Sequence, residues 1–257
     1  FLLGYCNGTV GYIPNYIAYD YNDNDTCHGV YAIGSYETQT TRLAQGTGEK
    51  MIAAFGEMLT HAAEEESNRT AYCEHCQKTV SCLPITTEYN LKANLSGHCY
   101  LMENIDGPQL LVYADQSLCL DLNGYSYTGA TRCLYVYAGG EANVFDTSEA
   151  QTGTMYGRGS PEATTSGFGG GTFMVERNGE FNLYGGTLTK IQEDVMVAKN
   201  GGIGFIRGNF NMYGGTITGG VAENVAGNLY ILQDSARFHM YGGTITNGTA
   251  KGDAKSN

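Results

Sequence analysis

One nonamer constrains this chain more than any other feature. Phe181-Asn182-Leu183-Tyr184-Gly185-Gly186-Thr187-Leu188-Thr189 returns as Phe210-Asn211-Met212-Tyr213-Gly214-Gly215-Thr216-Ile217-Thr218. It returns again as Phe238-His239-Met240-Tyr241-Gly242-Gly243-Thr244-Ile245-Thr246, the copies starting 29 and 28 residues apart. Each follows an apolar segment: Thr172–Val175, Ile203–Ile206 and Leu229–Leu232. Weaker relatives stand upstream at Leu118–Gly124 and Cys133–Tyr137. A fixed period in this range marks a stacked repeat array. The alternation within the nonamer has the period of a strand, not of a helix. Phe and Met point one way, Gly-Gly turns the chain, and Ile points in again. One such unit cannot bury its own face, so each must stack on the next. Short strands stacked in parallel, with glycine at the corners, make a β-helix. The competing arrangement is a β-sandwich or meander of recurrent hairpins.

Composition agrees with many tight turns between short strands: 37 of 257 residues are Gly, 20 are Tyr, and only 4 are Pro. No strict every-third glycine occurs, which excludes collagen. Acidic residues number 26 against 14 basic ones, a formal charge of −12. Nucleic-acid binding needs Lys and Arg to neutralise phosphates, so the chain is a poor partner for a polyanion and no nucleic acid is expected, and an anionic membrane surface is disfavoured for the same reason. No apolar run has the length of a membrane helix. The opening residues, Phe1–Cys6, have neither Met nor a positive stretch and read as the interior of a larger protein.

Three segments follow. Residues 1–66 read as a small α/β piece, with short strands at Phe1–Tyr5 and Tyr16–Tyr19. A helix is predicted over Thr47–Glu66, because Met51, Phe55, Met58, Leu59 and Ala62 fall on one face. Residues 67–100 read as a cysteine-rich connector, and residues 101–257 as the repeat array. The fold class expected is therefore mostly β: a right-handed parallel β-helix preceded by a small α/β fragment.

Eight cysteines are present, four of them between residues 73 and 99. Cys73-x-x-Cys76 has the form of half a zinc site, and Cys82, His75, His98 and Cys99 are the candidates to complete it. A Cys73–Cys76 disulfide, or one joining Cys82 to Cys99, is the alternative, and spacing alone does not separate these. The metal ligands expected in the connector are Cys73, Cys76, Cys82 and Cys99. In the array, Asp115, Asp121, Asp146, Glu176, Glu180 and Asp234 make no close carboxylate pair of the kind glycoside hydrolysis needs. Tyr184, Tyr213 and Tyr241, beside Asn182, Asn211 and His239, form a ladder suited either to lining a sugar-binding face or to packing along the coil wall.

Gly4–Pro14, with Ser35–Thr38 and Gly46–Glu49, resembles the end of the catalytic domain of neutral ceramidase-like proteins. The resemblance covers about a quarter of the chain. It implies a zinc-dependent hydrolase of N-acyl amides, with a lipid amide as substrate of the parent protein. Of that family's zinc ligands, two His, one Glu and a Tyr, only the Tyr has a match here, Tyr12 in Asn7–Ile13. An Asn/Asp-rich stretch between Asp20 and Val30, carrying Cys27, departs from the family. The segment Leu120–Gly124 and the Tyr-Gly-Gly-Thr motifs resemble repeat regions of large cell-surface proteins of Gram-positive bacteria. That likeness implies an extracellular or cell-surface setting and a role in attachment or contact with a surface glycan. The leading function expected of the parent is hydrolysis of an N-acyl lipid or related amide, with the β-helix as a surface-attachment or glycan-contact module; the fragment itself is expected to be inactive. The rivals are a β-helix polysaccharide lyase or hydrolase, and an adhesin stalk.

Overall fold

In the computed structural model of the chain, the residues described are Lys50, Ala53, Ala54, Gly56, 69–165, 168–191, 196–232 and 236–252. The chain divides into two compact units, Phe1–Ser67 and Asn68–Asn257. In the first, the four described residues are helical and fall inside the segment expected to be a helix. Tyr12, Cys6, Cys27 and the strands expected near them lie outside the described residues.

The second unit opens with an antiparallel hairpin of β1 (Arg69–Cys73) and β2 (Lys78–Ile85). The chain then turns repeatedly. The first turn is β3 (Gly97–Leu101), β4 (Ile105–Gly107) and β5 (Leu110–Val112). The second is β6 (Ser117–Asp121), β7 (Ser126–Gly129) and β8 (Leu134–Val136). The third is β9 (Glu141–Phe145), β10 (Thr154–Gly157) and β11 (Phe173–Val175), with a short 3-10 helix, Glu162–Thr164, between the last two. The fourth has four strands, β12 (Glu180–Leu183), β13 (Thr187–Lys190), β14 (Ala198–Asn200) and β15 (Gly204–Ile206). So does the fifth, in β16 (Asn209–Met212), β17 (Thr216–Thr218), β18 (Val221–Val225) and β19 (Leu229–Ile231). Then come β20 (Arg237–Met240), β21 (Thr244–Thr246) and β22 (Thr249–Ala250).

Successive strands of one turn join different sheets, and each sheet collects its strands turn by turn, in the orders β3-β6-β9-β12-β16-β20, β4-β7-β10-β13-β17-β21, β5-β8-β11-β15-β19 and β14-β18-β22. Among the described residues every strand pairing is parallel except that of β1 with β2. This rules out the meander of hairpins for the array. The stretch expected to be an irregular connector is instead the hairpin and the first array strand, because β2 continues from β1 directly onto β3 through Leu83–Ile85.

Register puts like residues in columns. Leu118, Ala142, Phe181, Phe210 and Phe238 align, as do Leu120, Val144, Leu183, Met212 and Met240. Ile105, Tyr127, Met155, Leu188, Ile217 and Ile245 form the facing column. All are fully buried except those of the last turn. Size is balanced across the interior: the ring of Phe173 fills the space where a side chain at Gly204 would stand, 2.3 Å from its position. The paired glycines of the nonamer have separate duties. Gly186, Gly215 and Gly243 adopt φ near +80° (84°, 79° and 87°), where other residues are strained. A Cβ at Gly214 or Gly242 would lie 2.3 or 2.4 Å from the carbonyl oxygen of Tyr184 or Tyr213 in the turn beneath. One glycine bends the chain and the other lets turns approach.

Phe210 is held between Phe181 and Phe238, with ring centroids 5.1 and 5.3 Å away, and is 0% exposed. Phe238 has a ring on only one side and is partly exposed. Phe210→Ala in the 257-residue chain should therefore cost about 3–5 kcal/mol by leaving a cavity, and Phe238→Ala clearly less. Urea unfolding of the two variants checks the ordering; equal losses would contradict the stacked interior.

Candidate metal centre

Alternation along a strand decides which cysteines can meet. In β3 and β6, Cys99, Leu101, Leu118 and Leu120 face the interior. His98 and Cys119, which pair directly across the two strands, face outward with Tyr100 and Asp121. The β1–β2 hairpin lies against this outer surface. Arg69 pairs with Asp121, donates to Asn123 Oδ1 at 3.0 Å, and stands 4.1 Å from the Tyr100 ring. At the hairpin tip, His75 reaches Glu141 Oε1 at 3.0 Å and the Tyr184 hydroxyl at 3.4 Å.

The tip is a tight turn closed by the pairing of Cys73 with Lys78, with Gln77 at φ +51°. It brings Cys73 and Cys76 over His98 and Cys119. The three sulfurs and one ring nitrogen of Cys73, Cys76, His98 and Cys119 all lie within 4.8 Å of one another. Cys73 Sγ and Cys119 Sγ are 3.9 Å apart, and Cys76 Sγ is 3.2 Å from His98 Nε2. The backbone N–H of Cys76 points at Cys73 Sγ, 3.5 Å away.

This donor set fits a tetrahedral ion. Metal–sulfur bonds of about 2.3 Å separate two sulfurs by about 3.8 Å at the tetrahedral angle. The observed sulfur pair already has that spacing, and the sulfur–nitrogen contact needs only a small expansion. The protonation states are compatible as well. Burial, then Lys78 and His75 nearby, lowers the His98 pKa and keeps its imidazole neutral, as a ligand must be. Burial, then the neighbouring Cys73, raises the Cys76 thiol; burial and the same cysteines raise Cys119 further. Without a cation these sulfurs hold their protons, so loading the cluster displaces protons and binding strengthens as pH rises.

Cys82 and Cys99 lie outside the cluster. Cys99 projects into the core, where burial pushes its thiol to about 12. Cys82 sits in the part of β2 that has left β3 to pair with β1, opposite Arg69. Its sulfur rests against the Val80 carbonyl. Cys119 was not among the expected ligands, and His98 was only one candidate of several. The signal lay in strand alternation: Leu118 and Leu120 inward require Cys119 outward, and Cys99 and Leu101 inward require the same of His98.

A cavity of about 380 Å³ adjoins the cluster, between the hairpin and the outer sheet, and is lined in part by Tyr72, Cys73, Asp121, Phe145 and Tyr184. Two of its carboxylates are already committed. Asp121 accepts from Arg69, the Asn123 N–H and both the N–H and hydroxyl of Thr147. Asp146 accepts from the N–H groups of Gly124, Ser148 and Gly153.

The same outer surface carries two ladders away from the metal cluster. Asn143, Asn182 and Asn211 are linked amide to amide at 2.9 and 2.8 Å, and His239 continues the row at 3.1 Å. Phe145, Tyr184, Tyr213 and Tyr241 stack face to face at 4.7, 4.8 and 4.9 Å. No protein-family model matches the chain, and no curated protein or solved structure matches it. Among the described residues no helix is long and apolar enough to cross a membrane.

Cobalt(II) added to the reduced chain should give thiolate charge-transfer absorption. Cys119→Ser and His98→Ala should weaken or abolish it, while Cys82→Ser and Cys99→Ser should leave it unchanged. Loss of the signal in the Cys82 or Cys99 variants alone would place the ion elsewhere.

Proposed function

We propose that this chain is a non-catalytic contact module of an extracellular bacterial surface protein. Its turns wind as a right-handed parallel β-helix, the hand that parallel crossovers almost always take. Zinc in the Cys73, Cys76, His98 and Cys119 cluster clasps the hairpin to the first turns. The exposed continuation of the ladders meets a surface glycan. The observation that carries this reading is the unbroken outer rail of stacked tyrosines beside the asparagine row.

Tyr213, which has a ring stacked on each side, is still 43% exposed. Because the rings cover one another's faces, the rail presents ring edges and hydroxyls rather than a series of stacking platforms. Burial, then the adjacent Tyr213, raises Tyr184 to about 12, so its hydroxyl keeps its proton and can donate. A row of hydroxyls at a spacing of nearly 5 Å suits a linear polyhydroxylated chain lying along the array.

The lyase or hydrolase alternative needs free acid and base groups, and Asp121 and Asp146 of the outer cavity are held by neighbouring donors. Amide hydrolysis rests on the likeness of residues 1–66 and on Tyr12, and draws no support from the array.

Binding to insoluble cell-wall polysaccharides and to an array of soluble glycans tests this reading. Tyr213→Phe and Tyr241→Phe, which keep the stack and remove only the hydroxyls, should each reduce retention severalfold with the unfolding midpoint little changed. Absence of any retained glycan, or retention indifferent to both substitutions, would contradict it.

A further inference from the structure

Two sulfurs in contact within the cluster belong to different parts of the chain. Cys73 ends the hairpin strand β1, and Cys119 stands within β6, which is hydrogen-bonded on both sides to β3 and β9. Their Sγ atoms are 3.9 Å apart and both residues are buried, at 7% and 5% exposure. A disulfide needs about 2.05 Å, so the two side chains must rotate toward each other to bond. Cys76 has a further partner: its sulfur lies 3.2 Å from His98 Nε2, while its backbone N–H holds the Cys73 sulfur in place.

We propose that Cys73 and Cys119 form a disulfide when the cluster is free of metal and an oxidant is present. The same two sulfurs then serve either as half of the metal's ligands or as a covalent latch between hairpin and array. The competition between the two states rests on the zinc reading above; the pairing itself does not. With glutathione disulfide as oxidant, the two thiols give up two protons and two electrons, one S–S bond forms in the protein and one breaks in the oxidant, and two molecules of glutathione leave. The bond joins two residues 46 positions apart, across the hairpin and the first array turn, and fastens in the oxidised, metal-free chain the same contact that zinc fastens when bound.

The full chain, reduced and stripped by chelator, is incubated with excess glutathione disulfide, alkylated, digested without reductant and mapped by mass spectrometry. The expected result is a linked peptide joining Cys73 to Cys119 as the main bridge, lost when one equivalent of Zn²⁺ is present during oxidation. Cys76→Ala should keep the bridge and lose the protection by zinc, which separates the two roles without removing either bridging sulfur. A main bridge of Cys73 with Cys76, or of Cys82 with Cys99, or glutathione adducts alone, would overturn the proposal. A Cys73–Cys119 bridge that forms equally with and without zinc would overturn the competition and the zinc reading together, and leave the pairing standing.

Discussion

In-register parallel hydrogen bonding between turns is the constraint on which everything else here depends. A parallel ladder pairs each residue with its equivalent one turn away, so whatever the repeat places at one position is multiplied into a column. Inside, this gives Phe over Phe and Met over Leu, as at Phe181, Phe210 and Phe238. Columns of similar shape pack without voids only if the turns approach closely, and the first glycine of each Tyr-Gly-Gly motif permits that approach at Gly214 and Gly242. The same rule acts outside, where nothing about core packing demands it. Asparagines become a hydrogen-bonded amide row and tyrosines a stack.

The first turns use that outer surface differently from the last ones. Near β3 and β6 the positions that later carry Asn carry His98 and Cys119 instead. The ladder thereby ends in two metal donors, and the hairpin folded over it supplies two more. An array of stacked turns needs its end covered, because an unpaired strand edge invites association with other chains. Here β2 covers the edge of β3 through only three register pairs before bending away. The hairpin is therefore held chiefly by contacts at its tip and by Arg69. An ion held by the four donors at the tip would add metal–ligand bonds to these contacts.

Much of the array was legible in the sequence because its signal is redundant: three copies of one nonamer specify strand period, turn and stacking direction at once. The segment at residues 67–100 was harder to read for a physical reason. Its strands are polar on one side and bury few large apolar groups, so they depend on contacts with distant residues, as Arg69 does on Asp121. Cys73 and Cys76 stood out through their spacing. Cys119 did not, because 46 residues separate it from Cys73 and only the fold unites them. Cys99 attracted attention through its nearness in sequence, yet the single-residue step from His98 carries it to the opposite face of the strand.

The central claim is that three sulfurs and one imidazole from two distant parts of the chain share one ion. X-ray absorption at the zinc edge, on the chain loaded with one equivalent of Zn²⁺, tests this most directly. The account predicts a first shell of three sulfurs at about 2.3 Å and one nitrogen at about 2.0–2.1 Å, with the outer-shell scattering of an imidazole. A shell of four sulfurs, which would bring in Cys82 or Cys99, or a shell of nitrogen and oxygen alone, would contradict it.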